Sequence, residues 1–121
     1  MSAILSPIIN PVGTSIITDS SVNATVQANV TGTNSTIYAV EVDNTNNSAA
    51  VYFKIWDLAL PTVGSSIPVY KFKIPGLTKL PFDFIDGMPM TTAISYACTT
   101  ESAATGVTAP ARAVTLTMLV G

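Results

Sequence analysis

The side chains best suited to chemistry in this sequence are oxygen donors around an asparagine-rich stretch. Asp43, Asn44, Asn46 and Asp57 carry carboxylate and amide oxygens, which are the ligands that a hard cation such as Ca²⁺ prefers. Their spacing does not match the DxDxDG pattern of calcium-binding loops. The sequence therefore favours a turn over a metal site, and we expect no metal and no cofactor.

A catalytic constellation is difficult to assemble from this composition. The chain has no histidine, and histidine is the commonest general acid–base near neutral pH, so Ser-His and Cys-His pairs are excluded. A carboxylate pair remains, but Glu41 and Asp43 share one strand face and are better explained as solvated neighbours. Cys98 lies in an apolar alternating run, where a buried and inert thiol is expected. The sequence predicts a protein that is not an enzyme.

The scarcity of charge limits the partners that the chain can bind. Charged residues make up 10% of the chain, against about 25% in an average soluble domain. Five lysine and arginine side chains are too few for a phosphate-binding footprint, so we expect no nucleic acid as partner. No apolar run is long enough to cross a bilayer, so we expect no membrane contact. A low-charge surface favours association with other protein.

The secondary structure of the chain is predicted to be β-strand, because apolar residues recur with a period of two. No long segment carries the apolar spacing and caps of a helix. Turn signals separate the runs, which indicates an all-β antiparallel two-sheet sandwich of about eight strands, of jelly-roll type. The predicted strands cover residues 15–18, 22–30, 36–43, 50–57, 68–74, 80–84, 92–99 and 113–120.

Two turns in this scheme have specific signals. The run 44–48 (NTNNS) is typical of a turn, and it predicts a hairpin between the strands 36–43 and 50–57. Asp86-Gly87 is a second turn signal, which predicts that the strand 80–84 ends before it.

The first residues depart from the alternating pattern. Residues 1–13 are predicted to form an extended N-terminal arm, and residues 14–121 a single β-sandwich domain. The arm is uncharged and lacks the basic start of a signal peptide, so we expect synthesis in the cytoplasm. It either folds back along its own sandwich or docks on a neighbouring subunit. The arm's candidate interface residues are Ile4, Leu5, Ile8 and Ile9.

Two aromatic side chains are further interface candidates. Tyr52 and Trp56 share a strand face with Lys54, opposite the apolar face of Val51, Phe53 and Ile55. If the apolar face is core, Tyr52 and Trp56 look outward, where they could stack on a glycan or anchor a protein partner. The alternative is that a long loop covers them.

The middle of the chain resembles small tailed-bacteriophage virion proteins. The strand 51–57 (VYFKIWD), the loop 61–64 (PTVG) and the segment 67–69 (IPV) are similar to a VYxKLYD strand followed by an APTVGTDTPV loop. The turn 84–87 (FIDG) and the strand 90–99 (MTTAISYACT) match an F-x-x-G turn and an FSTGIAIAxT strand in the same order.

The resemblance implies a β-sandwich component of a phage virion. It favours a capsid decoration (cement) protein on the capsid surface, which would bridge capsomers as a homotrimer in contact with the major capsid protein. The alternative is a glycan- or receptor-binding module, or a fibre or neck component, of the same particle. Met90 and Ala93 stand where the pattern has Phe and Gly.

Overall fold

Eight strands form the regular structure of residues 2–7 and 14–121, which are the residues that the computed structural model describes. No helix occurs in these two ranges, so the all-β prediction is confirmed. The strands are β1 (Ile4–Pro7), β2 (Ser15–Val22), β3 (Ser35–Asp43), β4 (Val51–Trp56), β5 (Tyr70–Ile74), β6 (Lys79–Met90), β7 (Ser95–Thr99) and β8 (Val114–Val120).

The strands form two antiparallel sheets, as predicted. One sheet has five strands in the order β1-β2-β8-β3-β6, and the other has three in the order β5-β4-β7. Residues 23–30 run beside β7, where Gln27 and Tyr96 exchange backbone hydrogen bonds of 2.9 and 3.1 Å. If this segment is counted as a fourth member of the three-stranded sheet, next to β7, and β1 is left aside, each sheet has four members. The order in which the chain connects these members is that of a jelly roll.

The strand predicted at 22–30 is nevertheless wrong. Beyond Val22 the chain forms one isolated bridge, at Gln27, instead of a ladder. The asparagines explain this: the side chain of Asn23 accepts the Thr25 amide at 2.8 Å, and Asn29 has a positive φ of 51°. Such local side-chain bonds and left-handed conformations compete with strand pairing.

The hairpin predicted between β3 and β4 is also wrong. β3 pairs with β6 and β8, whereas β4 pairs with β5 and β7, so the two strands belong to opposite sheets. The asparagine-rich turn is therefore a corner at which the chain crosses the sandwich. Alternation identifies a strand and its buried face, but it does not identify the strand's neighbour.

The turn predicted at Asp86-Gly87 lies within a strand instead. β6 continues through it, and the pairing register with β3 shifts between Ile37 and Ala39. Gly87 has a φ of +77°, and a Cβ at this position would lie 2.4 Å from Cγ2 of Thr36. Glycine is required here by the bulge, which turn chemistry alone does not distinguish from a reversal.

The core lies between the inner faces of the two sheets. Phe53 and Tyr96 pack with ring centroids 5.6 Å apart, and Leu116 and Met118 approach from the opposite sheet. Cys98 is fully buried in this core, as its apolar run predicts. A search of the described residues for a helix long and apolar enough to cross a membrane finds none.

The described part of the N-terminal arm lies along its own sheet. β1 pairs antiparallel with β2, with Ile4 opposite Thr18 and Pro7 opposite Ser15. Proline is tolerated there because β1 is an edge strand. Ile4 and Leu5 keep 60% and 45% of their surface exposed, whereas Ile8 and Ile9 lie outside the described residues.

Candidate interaction surface

Two long loops cover the outer face of the three-stranded sheet. The connection from β4 to β5 spans residues 57–69, and the connection from β7 to β8 spans residues 100–113. Beneath them lie Tyr52, Lys54 and Trp56, whose side chains point away from the core. This layer of loops decides what the outer face of the sheet presents to solvent.

Trp56 faces away from the core as predicted, but it is only 1% exposed and so does not reach solvent. Its indole N–H donates to the backbone oxygen of Ser66 at 2.9 Å, and this bond holds the first loop down on the sheet. Tyr52 is half-buried. The alternative that a loop covers these aromatic side chains therefore holds for Trp56.

Lys54 is fully buried beneath the second loop. Its Nζ donates to the backbone oxygen of Ala103 at 2.8 Å. Burial lowers the pKa of Lys54 below its usual 10.5, while the negative charge of Glu101 opposes this effect. Alternation places Lys54 on the outer face correctly, but a lysine there normally reaches water, so the sequence carries no signal that a loop buries it.

The second loop is closed by its own hydrogen bonds. The Thr100 amide donates to the Thr108 backbone oxygen at 3.0 Å, and the Thr108 amide donates to the Glu101 carboxylate at 3.0 Å. The Thr108 hydroxyl also donates to this carboxylate. These hydrogen bonds from Thr108 lower the pKa of Glu101, which keeps the carboxylate ionised. The loop is therefore a fixed structure.

The two loops also contact one another. A Cβ placed on Gly64 would lie 2.5 Å from Cγ1 of Val107, so the first loop approaches the second as closely as a glycine allows. Within the first loop, the Thr62 backbone oxygen accepts the amides of Ser65 and Ser66 at 3.1 and 2.9 Å. Together the loops form one continuous outer layer.

This layer carries exposed apolar side chains, which we call the apolar loop surface. Thr62 and Ser66 close a small turn in the first loop, and Leu60 and Ile67 lie in the sequence just before and just after it. Both are largely exposed, at 86% and 77%. The members of the apolar loop surface are Leu58, Leu60, Ile67, Val69 and Val107.

The outer face of the five-stranded sheet is more polar. A shallow depression of about 210 Å³ lies where Ile16, Leu119 and Ala39 come side by side on β2, β8 and β3. Glu41, on the same face, pairs with Lys79 at 3.5 Å. Glu41, Asp83 and Thr117 also line this depression, so it is a weaker apolar candidate than the loops.

The two carboxylates considered for catalysis have separate structural partners. Glu41 forms an ion pair with Lys79. Asp43 accepts hydrogen bonds from the backbone amide of Thr45 at 2.9 Å and from its hydroxyl at 2.6 Å. The side-chain and backbone hydrogen bonds from Thr45 lower the pKa of Asp43. A carboxylate held ionised by a turn has no raised pKa with which to act as a general acid.

The candidate calcium ligands are not brought together. Asn44 and Asp57 flank β4 at opposite ends, separated by about 20 Å at the usual rise of a strand. The Asp57 carboxylate accepts the amides of Thr91, Thr92 and Ala93 at 2.7–3.1 Å. Although burial raises the pKa of Asp57, these hydrogen bonds together lower it. Among residues 2–7 and 14–121, no acidic, cysteine or histidine cluster could hold a metal.

Comparison with known proteins gives no relative from which a function could be transferred. No family model, no curated protein sequence and no solved structure matches the chain.

Proposed function

We propose that this protein is a non-enzymatic structural component of a phage virion, a decoration (cement) protein on the capsid surface. In this proposal a homotrimer binds the major capsid protein and stabilises the head by bridging neighbouring capsomers. The observation that carries it is the apolar loop surface, in which exposed leucine, isoleucine and valine side chains stand on hydrogen-bonded loops.

The energetics of this surface suit adhesion. Burying an exposed Leu or Ile side chain contributes about 1.5–3 kcal/mol, so Leu60 and Ile67 alone supply a substantial part of a contact. The loops are already ordered by the indole of Trp56 and the ammonium group of Lys54. Less conformational entropy is therefore lost on binding.

The resemblance of residues 51–114 to phage virion proteins supports the same setting. The resembling segment contains β4, β5 and both loops of the apolar loop surface. Decoration of a shell repeats one small contact many times, so modest burial in each copy adds up over the particle.

The alternative proposal, a glycan- or receptor-binding fibre or neck module, has less support. Glycan stacking needs an exposed aromatic ring face. Trp56 lies under the first loop, and Tyr52 is half-buried. Ligand binding by this route would require Tyr52 to act alone.

Two measurements test the proposal. Quantitative mass spectrometry of purified virions should find this protein in hundreds of copies, on the order of the major capsid protein, as a repeated shell contact requires. A copy number of only about a few to a few dozen per particle would instead indicate a fibre or neck component.

The second measurement is binding of purified protein to phage heads from which it has been removed. Ile67→Asp should abolish retention on the heads, because it places a charge in the apolar loop surface. Ile85→Asp is the matched control, since Ile85 is 95% exposed on β6 and outside both loops. Equal retention of the two variants would contradict the proposal.

A further inference from the structure

One exposed leucine occupies a backbone conformation that leucine rarely adopts. Leu77, in the turn between β5 and β6, has a φ of +57°. Its neighbour Gly76 does not have a positive φ. Glycine is required at position 76 for a different reason, since a Cβ there would lie 2.0 Å from the Ser48 backbone oxygen. The left-handed position therefore falls on Leu77, which is unfavourable for a residue with a branched Cγ.

The same leucine is 69% exposed to solvent. Its backbone is nevertheless held firmly, since the Leu77 amide donates to the Asn47 backbone oxygen at 2.8 Å. On the other side of the turn, the Asn44 amide donates to the Thr78 backbone oxygen at 2.9 Å. Leu77 thus combines backbone strain and apolar exposure on a turn that is held by hydrogen bonds.

A groove of about 440 Å³ lies at the same end of the sandwich. Asn47 connects the two features, because its backbone bonds Leu77 while its side chain lines the groove and bonds the backbone of Arg112 at 2.8 and 2.9 Å. The apolar part of the lining comes from Ala49, Val51, Ala109, Pro110 and Ala111. This volume exceeds that of one leucine side chain.

The charges at this end are complementary between the projection and the groove. Arg112 is exposed at the groove, and its guanidinium has no ion pair or hydrogen bond within the described residues. Asp43 stands beside the Leu77 turn, opposite Lys79 in the β3–β6 ladder, and Lys79 is itself paired with Glu41. Asp43 at the projecting turn and Arg112 at the groove carry opposite charges, and this complementarity favours a second copy of the chain as the occupant of the groove.

We propose that this end of the sandwich is a self-association surface, in which Leu77 of one copy enters the groove of a second copy. Every copy carries both the projecting leucine and the groove, so the contact requires no other protein. This inference rests on the proposed function, because it names the surface through which the proposed homo-oligomer forms. Oligomerisation and capsid attachment then use different surfaces of the protein.

Sedimentation of the purified full chain over a range of concentrations tests the proposal. Leu77→Gly should weaken self-association about tenfold or more, because it removes the projection. The same variant should melt at a higher temperature than the wild type, since glycine accepts the positive φ. Ile85→Gly is the control: Ile85 is 95% exposed on β6, outside both the groove and the apolar loop surface, and this variant should associate as the wild type does.

A second variant blocks the groove without altering Leu77. Ala109→Glu places a long charged side chain on the exposed groove wall and should weaken association to a similar degree. A wild type that is monomeric at all concentrations, or a Leu77→Gly variant that associates normally, would overturn the inference. If the wild type is monomeric but is still retained on phage heads, the proposed capsid attachment is supported and the proposed self-association surface is contradicted.

Discussion

The Tyr96 hydroxyl donates a hydrogen bond of 2.7 Å to Oδ2 of Asp19, and both side chains are buried between the sheets. Tyr96 lies on β7 and Asp19 on β2, so this bond joins the three-stranded sheet to the five-stranded sheet across the core. The second carboxylate oxygen of Asp19 accepts the Ser21 amide at 2.9 Å. Burial, together with the hydrogen bond and charge of Asp19, raises the pKa of Tyr96.

Tyr96→Phe should lower the free energy of unfolding by about 2–3 kcal/mol, because the Asp19 carboxylate stays buried and loses its charge-assisted partner. Urea unfolding followed by circular dichroism measures the change. Tyr52→Phe is the matched control, since Tyr52 is half-buried and its hydroxyl makes no hydrogen bond within the described residues. Equal effects of the two substitutions would show that the cross-sheet bond contributes little.

Asn44 should tolerate no change of its amide to a carboxylate. Its Nδ2 donates to the backbone oxygens of Ala49, Ile74 and Pro75 at 3.0–3.3 Å, and its Oδ1 accepts a hydrogen bond from the side-chain Nδ2 of Asn47 at 2.8 Å. Asn44→Asp keeps the shape but turns a buried donor into an acceptor facing three carbonyl oxygens.

The expected loss of unfolding free energy for Asn44→Asp is about 3 kcal/mol or more, measured by urea unfolding near neutral pH. Asn46→Asp makes the same chemical change at an exposed position of the same turn and should shift stability by less than about 0.5 kcal/mol. Loss of stability in both variants would mean that added negative charge, not the Asn44 bonds, is responsible.

These asparagines show where sequence reasoning succeeds and where it stops. The alternation in β3, β4 and β8 predicts each strand to within a few residues, because buried faces require a period of two. It also predicts burial of Cys98 correctly. Which strands pair depends instead on the turns at which the chain crosses from one sheet to the other. The turn at Asn44 is held by hydrogen bonds to carbonyl oxygens about thirty residues away in the sequence.

The candidate surface was less predictable than the fold for a related reason. Tyr52, Lys54 and Trp56 alternate correctly away from the core, but whether they meet water depends on two loops that have no periodicity. The strain at Leu77 has no sequence signal either, because the adjacent Gly76 looks like the residue that takes the positive φ. Only the approach of Ser48 shows otherwise.

Lys54 should be replaceable by an apolar residue of similar length but not by a small one. Lys54→Met should change the unfolding free energy by less than about 1.5 kcal/mol, because it removes the desolvation cost of a buried ammonium group along with its single bond to Ala103. Lys54→Ala should cost about 2–4 kcal/mol, because it opens a cavity beneath the loop.

The pH dependence distinguishes the charge of Lys54 from its packing. Because its folded pKa is lowered, the unfolded chain binds the extra proton, so the wild type gains stability relative to Lys54→Met as the pH rises from the folded pKa toward 10.5. Unfolding of both proteins by urea at several alkaline pH values measures this difference. A constant difference over that range would show that Lys54 is not a desolvated cation.

Cys98 should make the fold sensitive to alkali. Burial raises the pKa of the Cys98 thiol from 9.0 to about 12, an effect that the charge of Lys54 only partly opposes. The stability due to the neutral buried thiol is therefore complete below pH 9 and is lost as the pH rises from 9 toward about 12, at about 1.4 kcal/mol per pH unit. Cys98→Ala should be less stable at neutral pH but should lack this loss, so the two unfolding free energies should converge between pH 9 and about 12. Parallel pH profiles for wild type and Cys98→Ala would contradict burial of the thiol, as would rapid modification of the native protein by a thiol reagent at neutral pH.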